Sequence, residues 1–485
     1  MKILFATSEA FPLIKTGGLG DVSGSLPRAL KSMRQDIRLV LPAYPDACQR
    51  MNRLRTMAEL EIPPFPGPVR VLQGRLPSTR LPVYLVDAPL LFERAGNPYC
   101  ASNGQAWQDN HLRFALFAHV VARIAMNAAD LDWQPEIVHC NDWQTGLVPA
   151  LLRDESQRPS TVFTIHNLSY QGLFPPQTLH ELGLNSRLWH TEGLEFHGQL
   201  SFIKGGLVFA DHLTTVSPTY AEEIQTPRHG YGLEGLLTHR RDQLTGILNG
   251  IDYQEWDPHT DPYIHTPYAL ENLQLKQSNK HALQEAFGLD VRDRTPLLAF
   301  IGRLVEQKGV DLLLEAVLPL LAQHDLQLVI LGAGDAGLER RVRDMATAFP
   351  KQVAAFIGYS EGHAHLIEAG SDMFVMPSRF EPCGLNQMYS LRYGTPPVVH
   401  RTGGLADTVI DANDTTLADG TATGFVFDHE DPVALREALV RALKRYAEPK
   451  AWERLMRQGM AQDLSWQRSA REYLDLYKSL TRDIA

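Results

Sequence analysis

Lys15 stands in the run Lys15-Thr16-Gly17-Gly18-Leu19-Gly20-Asp21, where an apolar stretch over residues 2–7 hands over to a helical pattern over 21–29. Backbone N–H groups at a helix start attract anions, and glycines let a phosphate come close. The spacing matches neither G-x-x-x-x-G-K-[ST] nor G-x-G-x-x-G, so the common ATPase and dinucleotide readings lose support. Asp21 is placed to cap the helix. Strand-to-helix turns also use glycine for geometry alone, so the loop by itself leaves both readings open.

Arg303 and Lys308 form a second group, two cations five residues apart and bracketed by Gly302 and Gly309. Such a pair suits a diphosphate whose charge rises as it leaves; a plain surface salt bridge is the alternative. Gly17-Gly18 and Gly403-Gly404 could add backbone donors. Glu381 lies in Ser378-Arg379-Phe380-Glu381-Pro382-Cys383-Gly384-Leu385, just before a helical stretch over 386–393. Its carboxylate either accepts hydrogen bonds from sugar hydroxyls or serves as an acid favoured at a helix N-terminus. Cys383 reads first as a small packing residue. His166 and Asp142 follow two strand patterns, 161–165 and 137–140, and neighbouring strand ends would bring them into one pocket. Trp143 and Tyr170 are either apolar faces for sugar rings or core, and Tyr359 is a candidate stacking partner for a base.

These residues need a scaffold, and the rest of the chain describes one. Short apolar runs at 2–7, 37–41, 83–86, 137–140, 161–165 and 213–216 alternate with helical patterns such as 112–128. After a break the series resumes at 297–301, 326–331, 353–357, 373–376, 397–400 and 424–427, with a helix over 310–321. This alternation predicts an α/β fold, with parallel sheets covered by helices on both faces and a chain that divides into two halves. The break, at 249–267, is rich in Asp and Pro and puts a hinge near residue 250. The domains expected are 1–248, 249–463 and a C-terminal helix, 464–485, packing back on the first. Residues 51–82, with Pro63, Pro64, Pro66 and Pro68, are expected to form a mobile surface insertion. Ligands of open α/β sheets bind beyond the carboxyl ends of the strands. The polar and glycine residues above collect there, which predicts a cleft between two facing domains.

The 485 residues carry a net charge of −10, which argues against a nucleic-acid partner or an acidic membrane surface. Four scattered cysteines without C-x-x-C spacing, no signal-peptide pattern and no membrane-length apolar run predict a reducing, cytoplasmic setting. Asp130-Leu131-Asp132 precedes a strand rather than following one and is read as solvent-exposed. The 18 histidines show no paired metal-ligand spacing.

Over essentially its whole length the chain resembles the bacterial glycogen synthases and plant starch synthases. The resemblance rests on Lys15-Thr16-Gly17-Gly18-Leu19-Gly20-Asp21-Val22, on Gly302-Arg303 with Lys308-Gly309, on the segment 378–385, and on Arg401-Thr402-Gly403-Gly404-Leu405-Ala406-Asp407. It implies two Rossmann-like domains with parallel sheets facing a deep cleft, the glycosyltransferase B arrangement, and transfer of glucose from ADP-glucose to the nonreducing end of an α-1,4-glucan, glycogen or a maltooligosaccharide. It implies retention at the anomeric carbon, no cofactor and no metal. Lys15, Gly17 and Gly18 would bind the nucleotide sugar, and Arg303 and Lys308 its diphosphate. Glu381, Cys383, Gly384 and Leu385 would line the glucose and phosphate site, with Thr402, Gly403 and Gly404 beside them. His166, Asp142 and Asn249 would flank the transferred sugar, and Tyr359 would lie against adenine. The family usually has Thr where this chain has Asn386, which matters if that side chain touches phosphate.

Overall fold

The computed structural model describes residues 1–51 and 53–482. It divides into two compact units: Met1–Asn249 joined by the C-terminal segment from Trp466, and Gly250–Ser465.

The first unit is built on the nine-stranded sheet β12-β11-β7-β6-β1-β2-β5-β4-β3. Its strands are β1 (Lys2–Ala6), β2 (Asp36–Pro42), β3 (Arg55–Leu60), β4 (Val69–Arg75), β5 (Pro82–Asp87), β6 (Ile137–Asn141), β7 (Ser160–Ile165), β11 (His212–Thr215) and β12 (Leu244–Gly246). Ile3, Leu4, Phe5 and Ala6 are wholly buried, as a central parallel strand requires. The chain runs from β1 through β2 to one edge and then returns through β6 to the other. The strand order therefore switches between β1 and β6, the place where an open α/β sheet leaves a crevice. A small antiparallel sheet, β8-β10-β9 (Leu173–Phe174, Gln199–Ser201, Glu195–Phe196), lies outside the main one.

Two expectations need correction here. Residues 55–60 and 69–75 are not a mobile insertion but the antiparallel strands β3 and β4, which extend the sheet beyond β5. Val69 and Val71 are buried, and that alternation outweighs the nearby prolines. Asp21 is not the cap of the first helix. That helix, α1, spans Gly18–Ser32 with Gly17 at its cap, and Asp21 sits in its first turn.

The second unit carries the all-parallel sheet β15-β14-β13-β16-β17-β18. Its strands are β13 (Leu297–Ile301), β14 (Gln327–Gly332), β15 (Val353–Ile357), β16 (Met373–Met376), β17 (Pro397–His400) and β18 (Phe425–Phe427). Apolar clusters cover both faces, one around Leu313, Leu328 and Leu439, the other around Leu283, Val329 and Val399. The strand order switches between β13 and β16.

The C-terminal helix Trp466–Arg482 belongs to the first unit. Tyr473 and Tyr477 are fully buried, and Tyr477 Oη lies 2.6 Å from His139 Nδ1 on β6. No helix among the described residues is long and apolar enough to cross a membrane.

Candidate active site

Each sheet presents its chemistry at its switch point. In the first unit, β1 ends in Thr7 and runs into the loop that carries Lys15. Glu9, 2 % exposed, organises that loop. Its carboxylate accepts from the Thr16 N–H, from Thr16 Oγ1 at 2.5 Å, from Gly17 N at 3.2 Å and from Tyr99 Oη at 2.5 Å. Lys15 Nζ meets Asp21 Oδ1 at 2.7 Å, so the first turn of α1 holds the cation beside the helix start. Gly18 has open space where a Cβ would stand, as close approach of a ligand requires.

Next to β1, β6 ends in Asn141-Asp142. Asp142 is held at φ 56°, an uncommon conformation for a residue with a side chain. Its Oδ1 accepts from His166 N at 2.8 Å, which joins the ends of β6 and β7. Burial pushes Asp142 up to about 7, opposed by the backbone N–H groups of His166 and Asn167. Burial also holds His166 down to about 3, so the ring is neutral over the working range. Asn141 Nδ2 donates to Ala6 O at 2.9 Å, which turns Asn141 Oδ1 toward His166 Nε2, also at 2.9 Å. The proton of His166 therefore sits on Nε2, and Nδ1 is left as an acceptor. Asn249, where the chain leaves this unit for the second, is 6 % exposed, and its Oδ1 has no hydrogen-bond partner among the described residues.

In the second unit the loops after β13 and β16 meet through an ion pair. Lys308 Nζ lies 2.5 Å from Glu381 Oε2, which also accepts from Ser378 Oγ at 3.0 Å. Arg303 is exposed and donates to Gln307 Oε1 at 3.1 Å. Arg379 locks the two loops together with a bidentate pair to Asp311, at 2.9 and 2.7 Å. Asn386 Nδ2 donates to Ile301 O at 3.0 Å, so its side chain ties the helix Asn386–Arg392 to the end of β13.

Gly403 and Gly404 serve packing first. A Cβ on Gly403 (φ 42°) would meet Glu381 O at 2.0 Å, and one on Gly404 would meet Cys383 O at 2.1 Å. Gly404 N already donates to Glu381 O at 3.1 Å, and Gly17 N to Glu9. The expectation of free backbone donors at these two glycines is thus corrected: both N–H groups hold the protein's own loops. Thr402 is buried at the cap of the helix Gly403–Thr408. Cys383 is buried, Gly384 (φ 72°) and Leu385 are half-buried beside it, and Tyr359 is 75 % exposed after β15.

Glu9 is not among the residues that the sequence singled out. Its signal was the position of an acid directly after a buried strand. Nor did the sequence single out Tyr99 or the Arg379–Asp311 lock, whose partners lie 90 and 68 residues apart. Asp130 and Asp132 are exposed, as read.

Residues 2–239 match the model of the starch synthase catalytic domain, and residues 284–458 that of the glycosyl transferases group 1. The chain is similar to the glycogen synthase of Thioalkalivibrio sulfidiphilus, 58% identical over 99% of this chain and 100% of the relative. It is also similar to glycogen synthase 1 of Methylococcus capsulatus, 54% identical over 99% and 96%. Among solved structures it resembles the catalytic domain of starch synthase IV from Arabidopsis thaliana bound to ADP and acarbose. There the TM-score is 0.89 and the identity 34%, with 99% of each chain covered. The fold is that of the glycosyltransferases with two Rossmann-like units, the B class. The chain belongs to the glycogen synthase and starch synthase family.

Proposed function

We propose that this glycosyltransferase moves glucose from ADP-glucose to the nonreducing end of an α-1,4-glucan, with retention at the anomeric carbon and release of ADP. The observation that carries the reading is the Lys308–Glu381 pair beside Arg303 at the β13/β16 switch point. Cations placed there suit a leaving diphosphate, and the similar starch synthase holds ADP.

Arg303 and Lys308 take up the charge that develops on ADP. Glu381, already an acceptor for Lys308 and Ser378, accepts from hydroxyls of the transferred sugar, with Cys383, Gly384, Leu385 and Thr402 around it. Gly403 and Gly404 shape that wall through contact with its backbone. Tyr359 stacks on the base. Lys15 and Gly18 contact the nucleotide sugar, with Gly17 holding the loop on Glu9. His166 Nδ1 accepts from a sugar hydroxyl, the backbone carbonyl at His166 faces the developing oxocarbenium, and Asp142 sets the His166 backbone. Asn249 Oδ1, buried and without a hydrogen-bond partner among the described residues, accepts from the sugar, since a buried oxygen normally finds a donor. Asn386 acts through Ile301 rather than on phosphate. A diphosphate leaves readily once its charge is held, so front-face attack needs no protein acid of the glycosidase kind.

The acceptor is glycogen or a maltooligosaccharide, in keeping with the acarbose on the similar structure. We place the chain in the cytoplasm, supported by four cysteines that are all free. The test is to incubate purified protein and glycogen with ADP-glucose or UDP-glucose, chelator present, and follow diphosphate release and polymer growth. Growth from ADP-glucose alone is expected. Growth from UDP-glucose alone overturns the donor assignment, and growth from neither overturns the transfer itself.

A further inference from the structure

Three side chains of the second unit bring one imidazole nitrogen and two carboxylates together. Glu361 and His365 stand one helical turn apart on the helix Glu361–Gly370 and share a face. Glu255 comes from the turn after residue 250, where Glu255 N and Trp256 N both donate to Asp252 O, at 3.1 and 2.8 Å. One oxygen or nitrogen from each of the three lies within 4.8 Å of the other two. The spacing joins a Glu to a His, so a search for histidine pairs passes over it.

His365 decides what this cluster can hold. Its side chain is wholly buried, and its Nδ1 lies 2.7 Å from Oδ2 of Asp261, which is buried as well. The Asp261 carboxylate also accepts from Tyr393 Oη at 2.5 Å and from Tyr263 N at 2.8 Å. A carboxylate used in this way is an acceptor, so Nδ1 carries the ring proton and Nε2 the lone pair. Metal-ligating histidines are commonly fixed like this, by a carboxylate on the far nitrogen. Trp256 stacks on the ring at 3.8 Å and 11°, and Tyr263 lies 4.8 Å from it, which holds the aim of Nε2.

Nε2 has no hydrogen-bond partner among the described residues. It faces Glu361 Oε1 at 3.5 Å. A lone pair and a carboxylate oxygen repel each other unless a cation lies between them. A shared proton would draw the two atoms to about 2.7–2.9 Å. Two ligands of a tetrahedral zinc ion, each about 2.1 Å from the metal, stand about 3.4 Å apart. The separation in the structure matches the second case.

The donor set also selects the ion. Two carboxylates and a neutral imidazole offset a double positive charge. Imidazole favours zinc and its first-row neighbours over calcium and magnesium, which take oxygen ligands. The Glu361 side chain is 33 % exposed, which provides an entry path and a place for water as a further ligand. We propose that Glu255, Glu361 and His365 bind one divalent cation of the zinc kind. The ion fastens the segment after residue 250 to the helix Glu361–Gly370, as the contact between Asp261 and His365 does across 104 residues. No residue given a part in glucose transfer is a ligand, so the ion acts on stability.

The test uses the full chain, stripped with chelator, dialysed and titrated with zinc chloride by calorimetry. The variants are Glu255→Gln, Glu361→Gln and the double variant, each checked for folding by circular dichroism. The wild type should take up one equivalent and melt at a higher temperature as zinc is added. Each single variant should bind at least about tenfold more weakly, since removal of an outer-shell partner alone costs 10–100-fold, and the double variant more weakly still. Cobalt in place of zinc should give the wild type a visible absorption band that the double variant lacks. A wild type that takes up no zinc overturns the proposal and leaves a proton between His365 and Glu361. Wild-type affinity in the folded double variant overturns it too, the metal being an adventitious ion only. If the double variant does not fold, wild-type affinity in both single variants has the same force.

Discussion

The two switch points solve different problems with opposite electrostatics. At the ends of β6 and β7 the candidate groups are buried or half-buried, while the one ion pair described at the neighbouring end of β1 joins Lys15 to Asp21. His166 is held down to about 3, Asp142 is pushed up to about 7, and their contacts are backbone N–H groups and amides. At β13/β16 the groups are ionic: Lys308 on Glu381, Arg379 on Asp311, and Arg303 exposed nearby. Neutral donors and acceptors suit a sugar, which carries no charge. Paired cations suit a diphosphate, and a pre-existing carboxylate partner keeps Lys308 from being buried alone before the donor arrives.

The comparison breaks most visibly at Lys308. Lys308→Ala should lower kcat on the order of 10²–10³, as loss of a donor that stabilises developing charge does. Steady-state rates with ADP-glucose check this, and near-normal turnover in a folded variant would remove the ionic role. Asp142 gives the next effect, read in stability. Its folded value of about 7 lies above the unfolded value near 3.8, so the folded chain holds the proton more tightly. Its contribution is fully present below about pH 4 and is lost as pH rises toward 7, by on the order of 3–4 kcal/mol. Asp142→Asn should flatten that part of the profile, measured as denaturant midpoints from pH 4 to 8. An unchanged slope would count against a buried, protonated Asp142.

Gly403→Ala tests the packing beneath the ionic site. Its Cβ would meet Glu381 O at 2.0 Å, so the variant should lose about 1–3 kcal/mol of stability. The KM for ADP-glucose should rise with it, since the displaced backbone carries Glu381. Wild-type melting and KM together would sink this account. The smallest effect is expected at Glu9→Gln, where four donors meet a carboxylate. Weakening these bonds by about 1–1.5 kcal/mol should raise the KM for ADP-glucose roughly tenfold and leave kcat nearly unchanged. A fall in kcat at constant KM would show that Glu9 does more than hold the Lys15 loop.

Much of this molecule was legible in its residues. Every strand expected from an apolar run exists, because strands buried on both faces must be apolar throughout. Lys15, Arg303, Lys308 and Glu381 stand out by type and by neighbouring glycines, while the roles proposed for them come from the family resemblance. The chain missed β3 and β4 because proline punctuation hid an alternation that only pairing with β5 makes meaningful.

What the linear chain determined by itself is its alternation of elements, its two halves and the family that its motifs carry. Those are local properties of pattern and spacing. Only the tertiary structure decided that Lys308 rests on Glu381 73 residues away, that Glu9 holds the glycine loop with Tyr99, and that Asn386 binds a backbone carbonyl. It also decided that burial holds His166 down and pushes Asp142 up. Desolvation and long-range hydrogen bonds depend on what surrounds a group in space, and no spacing along the chain encodes that directly.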